Sequence, residues 1–391
     1  MKVVWLVSWY PTPLAPFDGD FIQRHARAVA LHCQVEVIHI VKDAYGNITP
    51  KKYENITVSG NLTERIIYYK PFKTGIDFLD KYISHRAYRK LYQKAIKLYI
   101  TDNGKPAFVH VHVALKSGLI ALWMKKKYGI PYIVSEHWAW FLPEAIPGMN
   151  DFSAIYKKWW QQIFNGAYKI TVVSKVLGDA LVQRFGSKGY ALIPNVVDTT
   201  IFYPVAKQNN TVPAFAHISS LSYQKNPEHI IEAFAILKQR AIPFSLYIFG
   251  HEKKQLRDMV FTKGLSTDIF FKEEVPQAEL VIILQQMDAL ILYSRFETFG
   301  CVLIEANACG VPVIVSDIPV FHEIVEEGVN GVFVENNSPK ALAEKLFEFI
   351  QQKIIFDKAQ IAIDAADKYN NEKIGKQFIE LYQQALNDFK D

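Results

Sequence analysis

Twice along this chain of 391 residues, short β-branched runs alternate with helix-patterned stretches, and the alternation breaks once near the middle. In the first series VVWLVS (3–8), VEVIHI (35–40), FVHVHV (108–113), YIVSE (132–136) and KITVVS (169–174) have strand length. FIQRHARAVALH (21–32) and the Tyr- and Lys-rich segment 78–100 lie between them with helical spacing. Strands that are apolar on both faces and separated by helices belong to βαβ units, in a mostly parallel sheet covered on both sides. The segment 46–70, with its NITP and VSG turns, reads as an antiparallel excursion. The alternation stops at IPNVVDTTIFYP (193–204), followed by a polar linker, KQNNTVP (207–213).

A second series then begins: AFAHISS (214–220), FSLYIFG (244–250), IFFKE (269–273), ALILYS (289–294), PVIVS (312–316) and GVFVE (331–335), with PEHIIEAFAILKQ (227–239) as its clearest helix. The chain is therefore expected to fold as two doubly wound, Rossmann-like α/β domains, 1–203 and 204–370. It closes on an amphipathic helix, NEKIGKQFIELYQQALNDF (371–389). Ligands of such sheets bind outside the carboxyl ends of the strands, so the cleft between the domains is the expected site.

Composition narrows the function classes. Half the residues are hydrophobic and 21% are charged, enough for two packed cores and unlike a disordered chain. A net charge of +5 is too small and too dispersed for a nucleic-acid binder, yet it favours anionic ligands or an acidic membrane surface. Cys33, Cys301 and Cys309 have no CxxC spacing, and an odd count reads as reduced thiols in a cytoplasmic protein. The apolar run after Met1-Lys2 ends at Pro11 without a small-residue cleavage site, and reads as a buried strand rather than a signal peptide. No stretch approaches the roughly 20 apolar residues of a membrane span.

The chemistry concentrates in SRFETFGCVLIEANACGVPVIVSD (294–317). Strands on either side and Gly310 as a stop leave a short helix from about Gly300 to Cys309. Gly300 at its start leaves room for a ligand against the backbone. The first N–H groups of the helix lack intrahelical partners and favour an anion such as a diphosphate. Glu297 precedes that point. Glu305 follows it by about five residues, roughly 7 Å along the axis. Carboxylates accept from paired hydroxyls, and a nucleotide-sugar has hydroxyls on both sides of its diphosphate.

FETFGCVLIEANACGVPVIVSDIPVFHEIVEEGVNGVFVE (296–335) resembles the signature of the retaining GT-B glycosyltransferases of family 4: two glutamates separated by seven residues, the Phe-Gly pair and the A-x-x-x-G-x-P-V run. Weaker likeness extends over VVS (172–174), IPNVVD (193–198), QKNPEHIIEAF (224–234) and the final helix. The resemblance implies that Glu305 holds the donor ribose and Glu297 the transferred sugar. It also implies that N–H groups of Phe299, Gly300 and Cys301 meet the diphosphate and that Lys225 neutralises phosphate charge. His137 in SEHWAWF would lie near the transferred sugar. The loop SWYPTPLAPFDGDF would bring Gly19 towards the donor, with Asp20 and Trp138 on the acceptor side. The last helix, 371–391, would pack back on the N-terminal domain. One departure stands out: the family often carries an arginine five residues before the lysine, where this chain has Ser220.

Other motifs are weaker. Asp18-Gly19-Asp20 matches a DxD metal motif in form, but that motif belongs to a differently built single-domain fold. His110 and His112 alternate on one strand, with no third ligand at a metal-site spacing. Neither GxGxxG nor GxxxxGK[ST] follows a strand, which argues against dinucleotide and P-loop chemistry. KKWWQQIF (157–164) is either a membrane-touching surface or a core helix with lysine stems over tryptophans. The expected protein is a metal-independent, retaining glycosyltransferase without a cofactor. Its donor is expected to be a UDP-sugar, or alternatively a GDP-sugar, and its acceptor a glycan, a glycolipid or a lipid-linked molecule of envelope polysaccharide synthesis. It would work in the cytoplasm or at the inner membrane surface. The alternative is a GT-B-shaped nucleotide-sugar-binding or scaffold protein without catalysis, a reading that rests on Ser220 alone.

Overall fold

The computed structural model describes residues 1–48, 53–186, 189–206, 211–251 and 253–389. Residues 207–210 of the expected linker, the end of the NITP turn and the last two residues lie outside these. The first domain runs β1 (Lys2–Val7), α1 (Asp20–Ala30), β2 (Gln34–Lys42), β3 (Glu54–Ser59), β4 (Leu62–Tyr69), α2 (Asp77–Asn103), β5 (Val109–His112), α3 (Ser117–Tyr128), β6 (Tyr132–Glu136), α4 (Ala154–Gly166), β7 (Lys169–Val172), α5 (Lys175–Phe185) and β8 (Ala191–Leu192). Its sheet has the order β3-β4-β2-β1-β5-β6-β7-β8. Every pairing is parallel except β3 with β4, the antiparallel excursion read from residues 46–70. β3 is exposed along its whole length, as an edge strand can be, whereas Val3–Val7 of β1 are fully buried at the centre.

The second domain runs β9 (Ala214–Ile218), α6 (Pro227–Gln239), β10 (Ser245–Phe249), α7 (Lys254–Thr262), β11 (Ile269–Lys272), α8 (Gln277–Leu284), β12 (Ala289–Leu292), α9 (Cys301–Ala308), β13 (Val313–Ser316), β14 (Gly331–Val334), α10 (Pro339–Ile350) and α11 (Lys358–Tyr369). Its sheet, β11-β10-β9-β12-β13-β14, is parallel throughout and reverses direction between β9 and β12. The first sheet reverses in the same way between β1 and β5. Crevices open beyond the carboxyl ends of strands at such points, and the loops after β1, β9 and β12 all enter one cleft between the domains.

The helices begin where local chemistry lets them. Pro227 and Pro339 occupy first-turn positions, where a missing N–H costs nothing. Ser174, Ser338 and Asn370 accept from backbone N–H groups at their helix starts. The closing helix α12 (Asn371–Asp388) returns to the first domain. Ile374, Phe378 and Tyr382 join the core of Trp5, Ile22 and Val29, and Tyr382 Oη lies 2.6 Å from His110 Nδ1. At the crossover, Val197 N donates to Tyr369 O at 3.0 Å.

Candidate active site

The cleft has a volume of about 890 Å³ and takes its walls from both domains. On the second-domain side, β12 delivers the chain to a loop whose anchor, Phe296, is buried in the core. The loop then turns at Gly300 into α9. Gly300 has φ +95°, which strains any other residue, and a Cβ there would lie 3.1–3.3 Å from Leu292, Leu303 and Phe321, so those side chains would have to give by a few tenths of an ångström. No side chain caps α9, so its N-terminus faces the cleft with the partial positive charge of unpaired N–H groups. Phe299, Gly300 and Cys301 all line the cleft there.

Glu297 and Glu305 stand on either side of this point, both buried. Glu297 is held by three donors: Lys225 Nζ in an ion pair, Ser294 Oγ at 3.0 Å and Gln224 Nε2 at 3.1 Å. The Gln224–Lys225 loop is itself clamped to the Glu297 loop. Arg295 N donates to Gln224 O at 2.8 Å, and the Arg295 guanidinium lies 4.2 Å from the Tyr223 ring centroid. Ser220 lines the cleft and donates to Ser222 Oγ at 3.2 Å.

The first domain contributes what the sequence did not announce. Arg24 of α1 is buried, and its Nη1 donates to Glu305 Oε1 at 2.5 Å across the cleft. Its Nη2 donates to Asp20 Oδ2 at 2.9 Å. Gln277 Nε2, from the second domain, reaches the same Asp20 oxygen at 3.3 Å. Burial raises the Glu305 carboxyl and Arg24 opposes that rise. Burial works against the charge of Arg24 too, but Asp20 and Glu305 outweigh it and keep the guanidinium firmly protonated. In FIQRHARAVA nothing sets Arg24 apart from the other polar helix positions except its spacing of four from Asp20.

His137 lies in the cleft wall, with Phe21 4.7 Å away. It also belongs to a group that no spacing rule finds. His25 from α1, His112 from β5 and His137 bring ring nitrogens within 4.8 Å of one another. Among the described residues only His25 Nε2 has a partner in this trio, Pro194 O at 3.1 Å. The pair expected on one strand is divided: His110 bonds Tyr382 and Ser135, while His112 stacks on Trp5 at 3.9 Å. Burial drives His25 down to about 4 and His112 and His137 well below their ordinary range, so all three are neutral. The trio has the proximity of a three-histidine ligand set; Arg24 is the adjoining cation, and among the described residues no carboxylate joins the rings. Beneath His137, burial pushes the Glu136 carboxyl up to about 7 against the pull of N–H groups from Ala114, His137 and Trp138.

Two expected residues stand elsewhere. Gly19, φ +70°, is the N-cap of α1 and packs on the Trp9–Tyr10 backbone, where a Cβ would fall 2.6 Å from Trp9 C. It shapes the loop that presents Asp20 and Phe21 but does not line the cleft. Trp138 likewise stays out of the cleft wall; it stacks on Trp140 at 3.4 Å and meets Trp9 edge-on. Of KKWWQQIF, Trp160, Ile163 and Phe164 are buried, so this face of α4 is core. The three cysteines are free, and no helix among the described residues is long and apolar enough to cross a membrane.

Comparison with known proteins agrees with this architecture. Residues 22–201 match the family model Glycosyltransferase Family 4, and residues 201–369 match Glycosyl transferases group 1. An uncharacterized glycosyltransferase of Methanocaldococcus jannaschii is 25% identical over 83% of this chain and 85% of its own length. The GDP-mannose:cellobiosyl-diphosphopolyprenol alpha-mannosyltransferase of Xanthomonas oryzae pv. oryzae is also 25% identical, over 67% of this chain and 70% of its own. The sucrose-phosphate synthase structure from Thermosynechococcus elongatus superimposes with a TM-score of 0.79 at 18% identity, covering 99% of this chain and 100% of that one. With two Rossmann-like sheets facing across a cleft and both halves matched, the chain belongs to the GT-B glycosyltransferases of family 4.

Proposed function

We propose that the protein moves a sugar from a nucleotide-sugar to a glycan or lipid-linked acceptor with retention of configuration and without a metal ion. The observation that carries the donor assignment is the uncapped start of α9 between two buried carboxylates, with Lys225 beside it. In this reading the diphosphate lies on the α9 N-terminus, ribose hydroxyls reach Glu305, and the transferred sugar reaches Glu297 and His137. Lys225 and the helix dipole stabilise charge growing on the leaving diphosphate, which removes the need for a divalent cation. Both Glu297 oxygens are already engaged by donors. A carboxylate so occupied is a poor nucleophile, which favours attack from the face the diphosphate vacates over a covalent intermediate. A donor phosphate oxygen then accepts the acceptor's proton. The acceptor enters from the first-domain side near Asp20, and closure of the domains keeps out water, the competing acceptor.

A UDP-sugar is the first candidate and a GDP-sugar the second; the GDP-mannose relative keeps the latter in view. The diphosphopolyprenol acceptor in that relative's name supports a lipid-linked acceptor and work in envelope polysaccharide synthesis at the cytoplasmic face. A surface patch supports contact with a membrane surface: Phe72, Phe78 and Tyr82 are each more than 60% exposed around the start of α2. Ile155 and Tyr156 are exposed at the start of α4. The two helix starts adjoin, with His85 stacked on Trp159 at 5.6 Å. Calorimetric titration with UDP, GDP and their sugar conjugates, with and without EDTA, tests the assignment. EDTA-insensitive binding of one nucleotide, lost in Glu305→Ala, is expected; absence of binding by every nucleotide refutes the donor site.

A further inference from the structure

The charges lining the cleft leave a deficit that the donor reading must meet. Lys225, the cation that the second domain adds to the lining, shares its charge between Glu297 and the diphosphate. Asp20, Glu274, Glu297 and Glu305 outnumber Arg24, Arg27 and Lys225 in the lining. A diphosphate brings further negative charge into a partly buried site, where an unmatched anion is expensive. Arg27 is exposed and donates to Gln23; Arg24 is buried against the wall where the diphosphate would lie.

Three features make Arg24 ready to change partners. Its Nε is buried without a hydrogen-bond partner, so the fork is not fully used. Its Nη1 donates to Glu305 Oε1, the carboxylate assigned to the ribose hydroxyls, and more weakly to Val196 O at 3.3 Å, a backbone contact it can keep. Cys301, the first residue of α9, lies four positions before Glu305 and hence on the same helix face about 6 Å away. The Arg24 charge acts on the Cys301 thiol as well as on Glu305, so the guanidinium already sits over this one turn of helix. Resting on the donor site proposed above, we propose that Arg24, delivered from the first domain, exchanges Glu305 for the donor diphosphate on binding and supplies the second cation for its charge. Ribose hydroxyls take the Glu305 oxygen that Arg24 releases. The guanidinium fork suits two phosphate oxygens at once, and Asp20 keeps it aimed at the cleft. Since Arg24 stands on α1 and the diphosphate on α9, the exchange ties donor binding to the grip of one domain on the other.

The test compares UDP with UMP, which differ by the β-phosphate, with GDP and GMP run beside them, by calorimetry on the full chain. In Arg24→Gln the diphosphate should lose about ten- to a hundredfold in affinity, the worth of a charged hydrogen-bond pair, while the monophosphate changes far less. Arg24→Lys, which keeps the charge but not the fork, should retain part of the preference for the diphosphate. Ser220→Arg should raise diphosphate affinity more in Arg24→Gln than in the otherwise unaltered chain, because Ser220 lines the same cleft and the new cation replaces a missing one; a purely structural Arg24 would give equal gains in both. Equal losses for UDP and UMP, or tighter binding of both, would overturn the exchange and leave Arg24 as a plug on Glu305. Failure of the unaltered protein to bind any of the four nucleotides would instead refute the donor site itself, and this proposal with it.

Discussion

Lowering the pH from 7.5 to 5 should destabilise the protein through its buried histidines. His25, His39 and His217 are held neutral by burial, which takes each from an ordinary 6.5 down to about 4. Between those values the unfolded chain binds protons that the folded chain refuses. Their contribution to stability is therefore present above 6.5 and is lost as the pH falls towards 4. At pH 5 each loses about 2 kcal/mol, or about 6 kcal/mol for the three together. Glu136 works in the other direction. Its carboxyl, raised from 4.5 to about 7 chiefly by burial, binds a proton more readily in the folded state, which adds about 2–3 kcal/mol at pH 5 and fades as the pH rises through 7.

The balance of these four groups is a loss of about 3–4 kcal/mol across the chain, about 1–2 kcal/mol in the first domain (His25, His39 and Glu136) and about 2 kcal/mol in the second (His217), against roughly 5–15 kcal/mol for an ordinary domain. His110, His112 and His137, driven further down, add to it. For domains of this size the shift corresponds to a fall in Tm of roughly 4–8 °C, to be read by calorimetry or circular dichroism at several pH values between 7.5 and 5. A Tm that is flat or rises over this interval would refute the claim that these imidazoles are buried and neutral.

Other perturbations probe separate links. Lys225→Ala should reduce turnover by about a hundredfold or more while shifting Tm little, since the cation acts on charge that develops in the transition state; equal damage to both would make the Lys225–Glu297 pair structural. Gly300→Ala should cost about 1–3 kcal/mol in thermal unfolding from the positive φ and the crowding by Leu292, Leu303 and Phe321, and should weaken nucleotide binding in calorimetry. Tyr382→Phe removes the partner of His110 Nδ1 and should cost about 1 kcal/mol in a denaturant titration; no change would mean that α12 is held by its apolar face alone.

The strands were legible because parallel strands buried on both faces must be apolar throughout. YIVSE and PEHIIEAFAILKQ coincide with β6 and α6 to the residue. The turn at Gly300 and the helix after it were legible for a related reason: a glycine between a strand and a short apolar helix leaves the backbone few alternatives. Arg24, the histidine trio and Glu136 were not. Arg24 and Glu305 are 281 residues apart, and His25, His112 and His137 come from three elements brought together by strand order. The aromatic runs left one reading open. KKWWQQIF has the composition of a surface or a core helix alike, and the packing of Trp160 against Phe141 and Phe152 made it core.

By itself, then, the sequence determined the two sheets, the helix beneath the expected diphosphate and the glutamates that flank it, because each depends on neighbours within one or two turns of chain. The tertiary structure decided which charges face each other across the cleft, which imidazoles are sealed from water, and which aromatic residues remain outside. Those properties depend on desolvation and on distances between elements far apart in sequence, and they exist only once the two domains are packed together.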